Sequence, residues 1–171
     1  HAAGGTLAAV IGKVDEVSDL YVVRDGMLVR LTDFASRFIE KASPQKWERF
    51  SVPSADGTVE IDAWIMRPAD FDPSATYPVL LNVHGGPHTQ YGETMFDEAQ
   101  MQAAAGFAVV MSNPRGGSGR EQSWGQAILG PKHPVAPGTG WGSVDVDDVL
   151  AVIDTALDRY PFCDRARVGM L

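Results

Sequence analysis

Two nearly unbroken apolar runs constrain this chain more than any other feature. Residues 77–83 read Tyr-Pro-Val-Leu-Leu-Asn-Val and residues 107–111 read Phe-Ala-Val-Val-Met. Each is the length of a strand and too short for an ordinary helix. A strand with one wet face alternates apolar and polar residues. A run that does not alternate predicts a strand covered on both faces, as in a parallel sheet layered with helices.

The segments around these runs fit that layering. Residues 95–105 read as a helix, with Thr94 placed to cap it, Asp97 three residues on to complete a capping box, and Gly106 to stop it. A longer helix is predicted over 144–160, where Val146, Val149, Leu150, Ile153, Leu157 and Tyr160 recur at three- and four-residue spacing. Asp145, Asp147 and Asp148 crowd its first turns, where the helix dipole favours negative charge, and read as solvated. A third buried strand is expected from Ala166. Apolar strands alternating with helices predict an α/β fold with a largely parallel, doubly wound sheet. Residues 47–52 and 59–66, joined by an Asp56-Gly57 turn, predict an antiparallel pair at one edge of it.

The first 40 residues or so have a different pattern. Residues 6–11 form a compact apolar run, and 20–23 and 27–31 read as a hairpin turned by Asp25-Gly26. This β piece is too small to bury its own faces, so it predicts the end of an all-β domain. A polar connector around Pro44, residues 41–46, separates it from the strands of the main sheet. Residues 113–119 are a glycine-rich loop, 123–129 a short helix, and 130–142 an irregular loop with three prolines. The start lacks the basic and apolar segments of a signal peptide, and the last residues read as a strand just begun. Both ends predict a piece cut from a longer polypeptide.

Composition excludes several functions. Lys+Arg is 14 against Asp+Glu 22, a net charge of −8, so the surface repels phosphate backbones and no nucleic-acid partner is expected. No apolar stretch approaches the roughly 20 residues that span a bilayer, so no membrane partner is expected either. The lone Cys163 cannot form an internal disulfide and reads as a structural thiol. Together these features predict a cytoplasmic protein.

The sharpest candidate for chemistry is His84-Gly85-Gly86-Pro87-His88, at the end of the third strand of the main sheet. Ligands of open α/β sheets lie outside the carboxyl ends of strands. Glycines there leave backbone N–H groups uncovered, and in α/β-hydrolases such an N–H forms half of the oxyanion hole. The same residues would also serve a tight turn by geometry alone. His84 and His88, four apart, could share a metal only on a helix, and Gly-Gly-Pro forbids one, so no metal is expected. Asn113-Pro114-Arg115-Gly116-Gly117-Ser118-Gly119 also follows a strand, but it matches neither nucleotide-binding glycine pattern. Arg115 is read as structural support, with Asp145 or Asp148 as its carboxylate. Ser112 and Ser118 lack the strand–turn–helix setting of a nucleophile.

In combination these segments resemble the prolyl oligopeptidase family, in its acylaminoacyl-peptidase branch. The resemblance rests on 77–88 with Gln90-Tyr91-Gly92, on 106–110, on Asn113-Pro114-Arg115-Gly116, and on Gly142 followed by Asp145 and Asp148. Ser54-Ala55-Asp56-Gly57 matches the usual entry segment, so the likeness covers 47–171. It implies the last blade of a β-propeller over 1–40 and the first half of an α/β-hydrolase domain over 41–171. It implies a serine peptidase acting on short or N-acylated peptides without a cofactor. Gly86 would supply the oxyanion N–H and His84 would support the loop. The serine, the acid and the histidine of the triad would all lie beyond Leu171, leaving this chain inactive alone. The expected partners are a peptide substrate, the remainder of the same polypeptide, and further copies in a homo-oligomer. An α/β-hydrolase esterase, or a non-catalytic interaction piece on the same fold, remains an alternative. One departure stands out: the family usually has serine where this chain has Gly117, and Tyr-Gly where it has Arg120-Glu121.

Overall fold

The structure, a computed structural model, describes residues 2–171. Four strands open the chain: β1 (Ala2–Ala3), β2 (Thr6–Lys13), β3 (Glu16–Arg24) and β4 (Met27–Arg30). They form an antiparallel meander in chain order. Asp25 and Gly26 make the β3–β4 turn with φ of 51° and 75°. Positive φ at both central residues gives the turn whose twist matches that of the strands.

The next element, α1 (Phe34–Ala42), is a helix packed on β3 that the sequence pattern does not predict. Its N-cap residue, Asp33, makes no capping side-chain bond. The cap comes from β3 instead. Asp19 Oδ1 accepts the Phe34 N–H at 2.9 Å and Oδ2 accepts the Ala35 N–H at 3.3 Å. The same carboxylate accepts the Thr32 hydroxyl at 2.6 Å and Arg30 Nε at 3.0 Å, with Arg30 Nη2 also on it. A buried charge needs partners of this kind, and Asp19 is only 2% exposed. Burial alone would raise its pKa. The Thr32 hydroxyl, the Phe34 N–H, Arg30 and the Ala35 N–H outweigh burial and hold the carboxyl well below its usual range.

The second sheet is built from β5 (Trp47–Pro53), β6 (Glu60–Met66), β7 (Tyr77–Asn82), β8 (Ala108–Asn113) and β9 (Cys163–Met170). Its order is β5-β6-β8-β7-β9. Pairing is antiparallel from β5 to β6 and from β6 to β8, then parallel from β8 to β7 and from β7 to β9. All strands but β6 therefore point the same way, with the antiparallel pair at one edge. Three helices serve this sheet: α2 (Asp97–Ala104), the short α3 (Gln122–Gln126) and α4 (Val144–Arg159).

Chain direction decides where those helices lie. The β7–α2–β8 crossover moves along the sheet one way, and the path from β8 through α4 to β9 moves back past β7. Right-handed crossovers then put α2 and α4 on opposite faces. The core is divided accordingly. Ala99 and Ala103 of α2 pack on Met66 and Val109. Val149, Val152, Ile153 and Ala156 of α4 join Ile61, Ile65, Val79, Leu81 and Val110 on the other face, together with Trp124 of α3.

Three local expectations need correction. Phe96, with extended backbone and no side-chain capping bond, sits at the N-cap of α2. Thr94 is two residues too early, and Asp97 spends its carboxylate on the Glu98 N–H at 3.0 Å. The α2 stop is as expected: the N–H groups of Gly106 and Phe107 return to the carbonyls of Ala103 and Gln102, both at 3.1 Å. On α4, Val146 and Leu150 are 45% and 51% exposed, whereas Asp148 is completely buried. The inward face of the helix is thus rotated from the stripe read off its apolar residues. Finally, β9 is not a buried strand. It pairs only with β7 among the described residues, and of its side chains only Cys163 is buried. Burial pushes the Cys163 thiol up to about 11, which leaves it protonated and unreactive.

Candidate active site

The strand order reverses at β7, and a cleft of about 510 Å³ opens at the carboxyl ends of β7, β8 and β9. Its walls include residues 83–87 after β7, Pro114, Arg115 and Gly117 after β8, Met170 and Leu171 at the end of β9, Trp141 before α4, and Val146 and Leu150 on α4. This is the place where open α/β sheets put their ligands.

Gly86 lies on this cleft with φ of 136°, a backbone conformation that side-chain-bearing residues rarely adopt. A Cβ added there would sit 3.0 Å from the His88 nitrogen and 3.1 Å from Thr89 Cγ2. Glycine is therefore required twice, by dihedral and by close approach. Among the described residues no protein acceptor takes the Gly86 N–H or the Gly85 N–H. The pair leaves two donors unspent at a strand end, which a turn serving only its own geometry would not need.

Four short hydrogen bonds, of 2.8–2.9 Å, strap this loop to the loop after β8. His88 Nδ1 lies 2.8 Å from the Gly116 carbonyl. Ser118 N–H donates to the Thr89 carbonyl at 2.8 Å. Asn113 Oδ1 accepts from the Tyr91 N–H at 2.8 Å, and its Nδ2 donates to the Tyr91 carbonyl at 2.9 Å. Below them, Trp124 Nε1 donates to the Pro114 carbonyl at 2.9 Å, and the Gly116 N–H returns to the Trp124 carbonyl at 2.9 Å. Asn113 is legible in the sequence only as part of a motif, and Trp124 does not stand out at all, because each acts through contacts with the backbone of another segment.

His84 sits on the cleft wall with Nδ1 3.2 Å from the Gly85 carbonyl. Its Nε2 is buried and has no partner among the described residues. The ring meets Tyr91 edge-on, with centroids 5.3 Å apart. Burial and the nearby Glu98 charge push the Tyr91 hydroxyl up to about 12, so it is neutral near pH 7. His84 and His88 thus turn their ring nitrogens to different partners, and no cluster of three or more His, Cys, Asp or Glu able to hold a metal occurs among the described residues.

Arg115 grips Asp148 through Nε at 2.8 Å and Nη2 at 2.7 Å, and its own backbone N–H adds a third bond at 3.1 Å. Its Nη1 reaches Asp56, in the β5–β6 turn, at 2.7 Å. Asp148, and next burial opposed by Asp56, set a guanidinium whose pKa is raised further above its ordinary value. Asp145 is not part of this pairing. It accepts from the Gly142 and Ser143 N–H groups at 3.1 and 2.7 Å, ordering the start of α4. Asp56 is legible in the sequence only as a turn residue. Its carboxyl is held below its usual range by Arg115 first, then by the Ser54 and Thr58 hydroxyls.

Gly117, where the family resemblance expects serine, is crowded. An added Cβ would lie 3.0 Å from the Thr89 carbonyl oxygen and 3.2 Å from that of Pro114, facing His84 Cε1 at 3.6 Å. Ser118 is 3.5 Å from Gln90 Oε1 and has no histidine partner, and Ser112 is buried in β8.

Comparison with known proteins bears on this arrangement. Residues 93–171 match the model of the prolyl oligopeptidase family. The matched span begins just beyond the Gly86 loop, and similarity to individual proteins extends over it. The chain is 37% identical to the Bacillus subtilis protein described as uncharacterized peptidase YuxL, over 95% of this chain and 23% of that protein. It is 25% identical to dipeptidyl-peptidase 5 of Porphyromonas gingivalis, over 88% of this chain and 21% of that protein. The chain therefore spans about a quarter or less of the length of these relatives.

Among solved structures, the acylaminoacyl peptidase of Pyrococcus horikoshii superposes with a TM-score of 0.84 at 28% identity, covering 98% of this chain and 25% of that one. A puromycin-hydrolyzing peptidase of Mycobacterium tuberculosis, at 20% identity and a TM-score of 0.81 over 99% of this chain and 25% of its own, shares the fold. The second sheet with its helices is the first half of an α/β-hydrolase sheet.

Proposed function

We propose that this chain is part of a serine peptidase that hydrolyses short or N-acylated peptides by Ser-His-Asp acyl transfer. In this reading it supplies one wall of the active site, with the Gly86 N–H as an oxyanion donor. The observation that carries the proposal is that N–H: unspent, on a glycine that cannot be replaced without strain, and bordering a cleft at the switch in strand order. The match of residues 93–171 to the prolyl oligopeptidase family model supports the reaction class. A similar acylaminoacyl peptidase, 28% identical with a TM-score of 0.85, is known in complex with Z-Gly-Gly-Phe-chloromethyl ketone, which supports a peptide as the ligand.

The chemistry is shared between this chain and the rest of the polypeptide. The sequence contains no G-x-S-x-G elbow, so the attacking serine belongs to residues outside these 171. A histidine takes the serine proton as the oxygen bonds to the substrate carbonyl carbon. The carbonyl oxygen becomes negative and is held by the Gly86 N–H and a second donor. Collapse of the tetrahedral intermediate expels the amine, which takes the proton from the histidine. Water then attacks the acyl-enzyme by the same route and releases the acid. A preformed donor of this kind contributes about 3–4 kcal/mol to the transition state. His84 supports the loop through its ring contact with Tyr91. Residues 1–40 are the last blade of a β-propeller in this reading, and the hydrolase domain runs from residue 41.

Kinetics of the full-length protein test this. Gly86→Ala should lower kcat on an N-acetyl peptide by roughly 100-fold or more with KM little changed, and the isolated 171 residues should not turn it over. Turnover by the isolated chain that survives repurification and is blocked by a serine-directed inhibitor would overturn the assignment.

A further inference from the structure

Arg115 joins three parts of the molecule through one side chain: the loop after β8, the buried Asp148 of α4, and Asp56 in the β5–β6 turn. Arg115 is largely buried, with its side chain 11% exposed, and Asp148 is fully buried. An arginine that only neutralised Asp148 would need two bonds to it. This one adds a backbone N–H to the same carboxylate and a third side-chain bond to Asp56, so both its main chain and its guanidinium are fixed.

The residues fixed in this way are the ones that carry the Gly86 loop. Arg115 directly precedes Gly116, whose carbonyl lies 2.8 Å from His88 Nδ1. Two residues further, the Ser118 N–H holds the Thr89 carbonyl at 2.8 Å. His88 and Thr89 are the residues against which Gly86 packs, at 3.0 and 3.1 Å from the position of a Cβ on it. From Arg115 to Gly86 there is thus one continuous path of short polar contacts and close packing. The path runs from the loop after β8 to the loop after β7.

We propose that Arg115, held between Asp148 and Asp56, is a positioning residue for the Gly86 N–H, and that the Asp56 contact lets the β5–β6 turn set the placement of the oxyanion donor. The proposal rests on Gly86 being that donor. Misplacing a donor that acts only on the transition state lowers kcat and leaves substrate binding nearly unchanged. This separates positioning from a general loss of stability, which lowers the amount of active enzyme.

The test uses the full-length protein and four variants: Arg115→Met, Arg115→Lys, Asp56→Asn, and Asp158→Ala as a control in an exposed ion pair far from the cleft. Steady-state kinetics on an N-acetyl peptide are read with amide hydrogen exchange at Ser118 and Tyr91, the donors that strap the loop. Arg115→Met is expected to lower kcat by roughly 10- to 100-fold per folded molecule, with KM within about twofold, and to speed exchange at both amides. Arg115→Lys should recover only part of kcat, because an ammonium cannot span both carboxylates in the fork geometry. Asp56→Asn is exposed and keeps its shape, so it should fold whether or not Arg115→Met does. It should lower kcat by about threefold with faster Ser118 exchange, while Asp158→Ala changes neither. The proposal is overturned if Asp56→Asn and Arg115→Lys leave kcat per folded molecule and both amides unchanged, or if KM rises while kcat holds. Absence of acyl-peptide turnover by the wild type sinks the hydrolase reading and this proposal together. An active wild type with indifferent variants sinks this proposal alone.

Discussion

In the meander and α1 the buried side chains described are Asp19, Val22 and Ala35. In the five-stranded sheet Val52, Ile61, Ala63, Ile65, Met66, Val109 and Val110 are each fully covered. The two sheets are held differently. The meander depends on its backbone ladders and on one polar hub, Asp19, which also starts α1. The larger sheet is held by apolar burial on two faces. The difference shows that a carboxylate can organise one sheet while the same residue type, Asp148, serves the other as an anchor for the cleft wall.

The contrast can be broken most severely at Asp148. Asp148→Ala leaves Arg115 largely buried without its main partner and should cost about 3–5 kcal/mol in denaturant unfolding; a cost below 1 would mean that Asp56 alone suffices. Ile65→Ala, in the middle of the apolar sheet, should cost about 2–5 kcal/mol. The same truncation at the half-exposed Leu20 of the meander should cost well under half of that. Equal costs would remove the distinction between the sheets.

The polar hub is tested by pH. Because the native Asp19 carboxyl titrates below its unfolded value, its contribution is present above about pH 4 and is lost as pH falls through the native value. Thermal midpoints between pH 5 and 2 should therefore fall less steeply for Asp19→Asn than for the wild type. Parallel slopes would show that Asp19 is not the acid-sensitive group of the meander. The smallest effect is expected at the pair between the exposed Lys46 and the partly covered Asp15, which bridges the two parts at 3.1 Å. Lys46→Ala should change stability by no more than about 0.5 kcal/mol.

Where local pattern determines structure, the sequence is informative. Asp25-Gly26 predicts its hairpin because the turn chemistry is contained in two residues. The runs at 77–83 and 107–111 predict covered strands because burial on two faces leaves no alternation. The glycine pair at 85–86 can be placed at a strand end for the same reason. Residues acting at a distance are not legible. Helix α1 has spaced apolar residues, but its cap is a carboxylate on β3 fourteen residues before its N-cap position. Choosing between Asp145 and Asp148 requires the rotation of α4, and the stripe through Val146 and Leu150 turns it outward. Asp148 precedes Val152 by one helical turn, and that pairing is the available signal that it faces inward. The exposure of β9 depends on what pairs with its outer edge, and strand composition does not report that.

The central claim concerns one amide hydrogen and one oxygen. A crystal structure of the full-length protein with a peptidyl phosphonate on its serine would place a tetrahedral oxygen where the negative charge forms. The account predicts the Gly86 nitrogen about 2.7–3.1 Å from that oxygen, with the N–H pointing at it. A Gly86 N–H turned out of the cleft, or bonded to a protein carbonyl in the adduct, would contradict it.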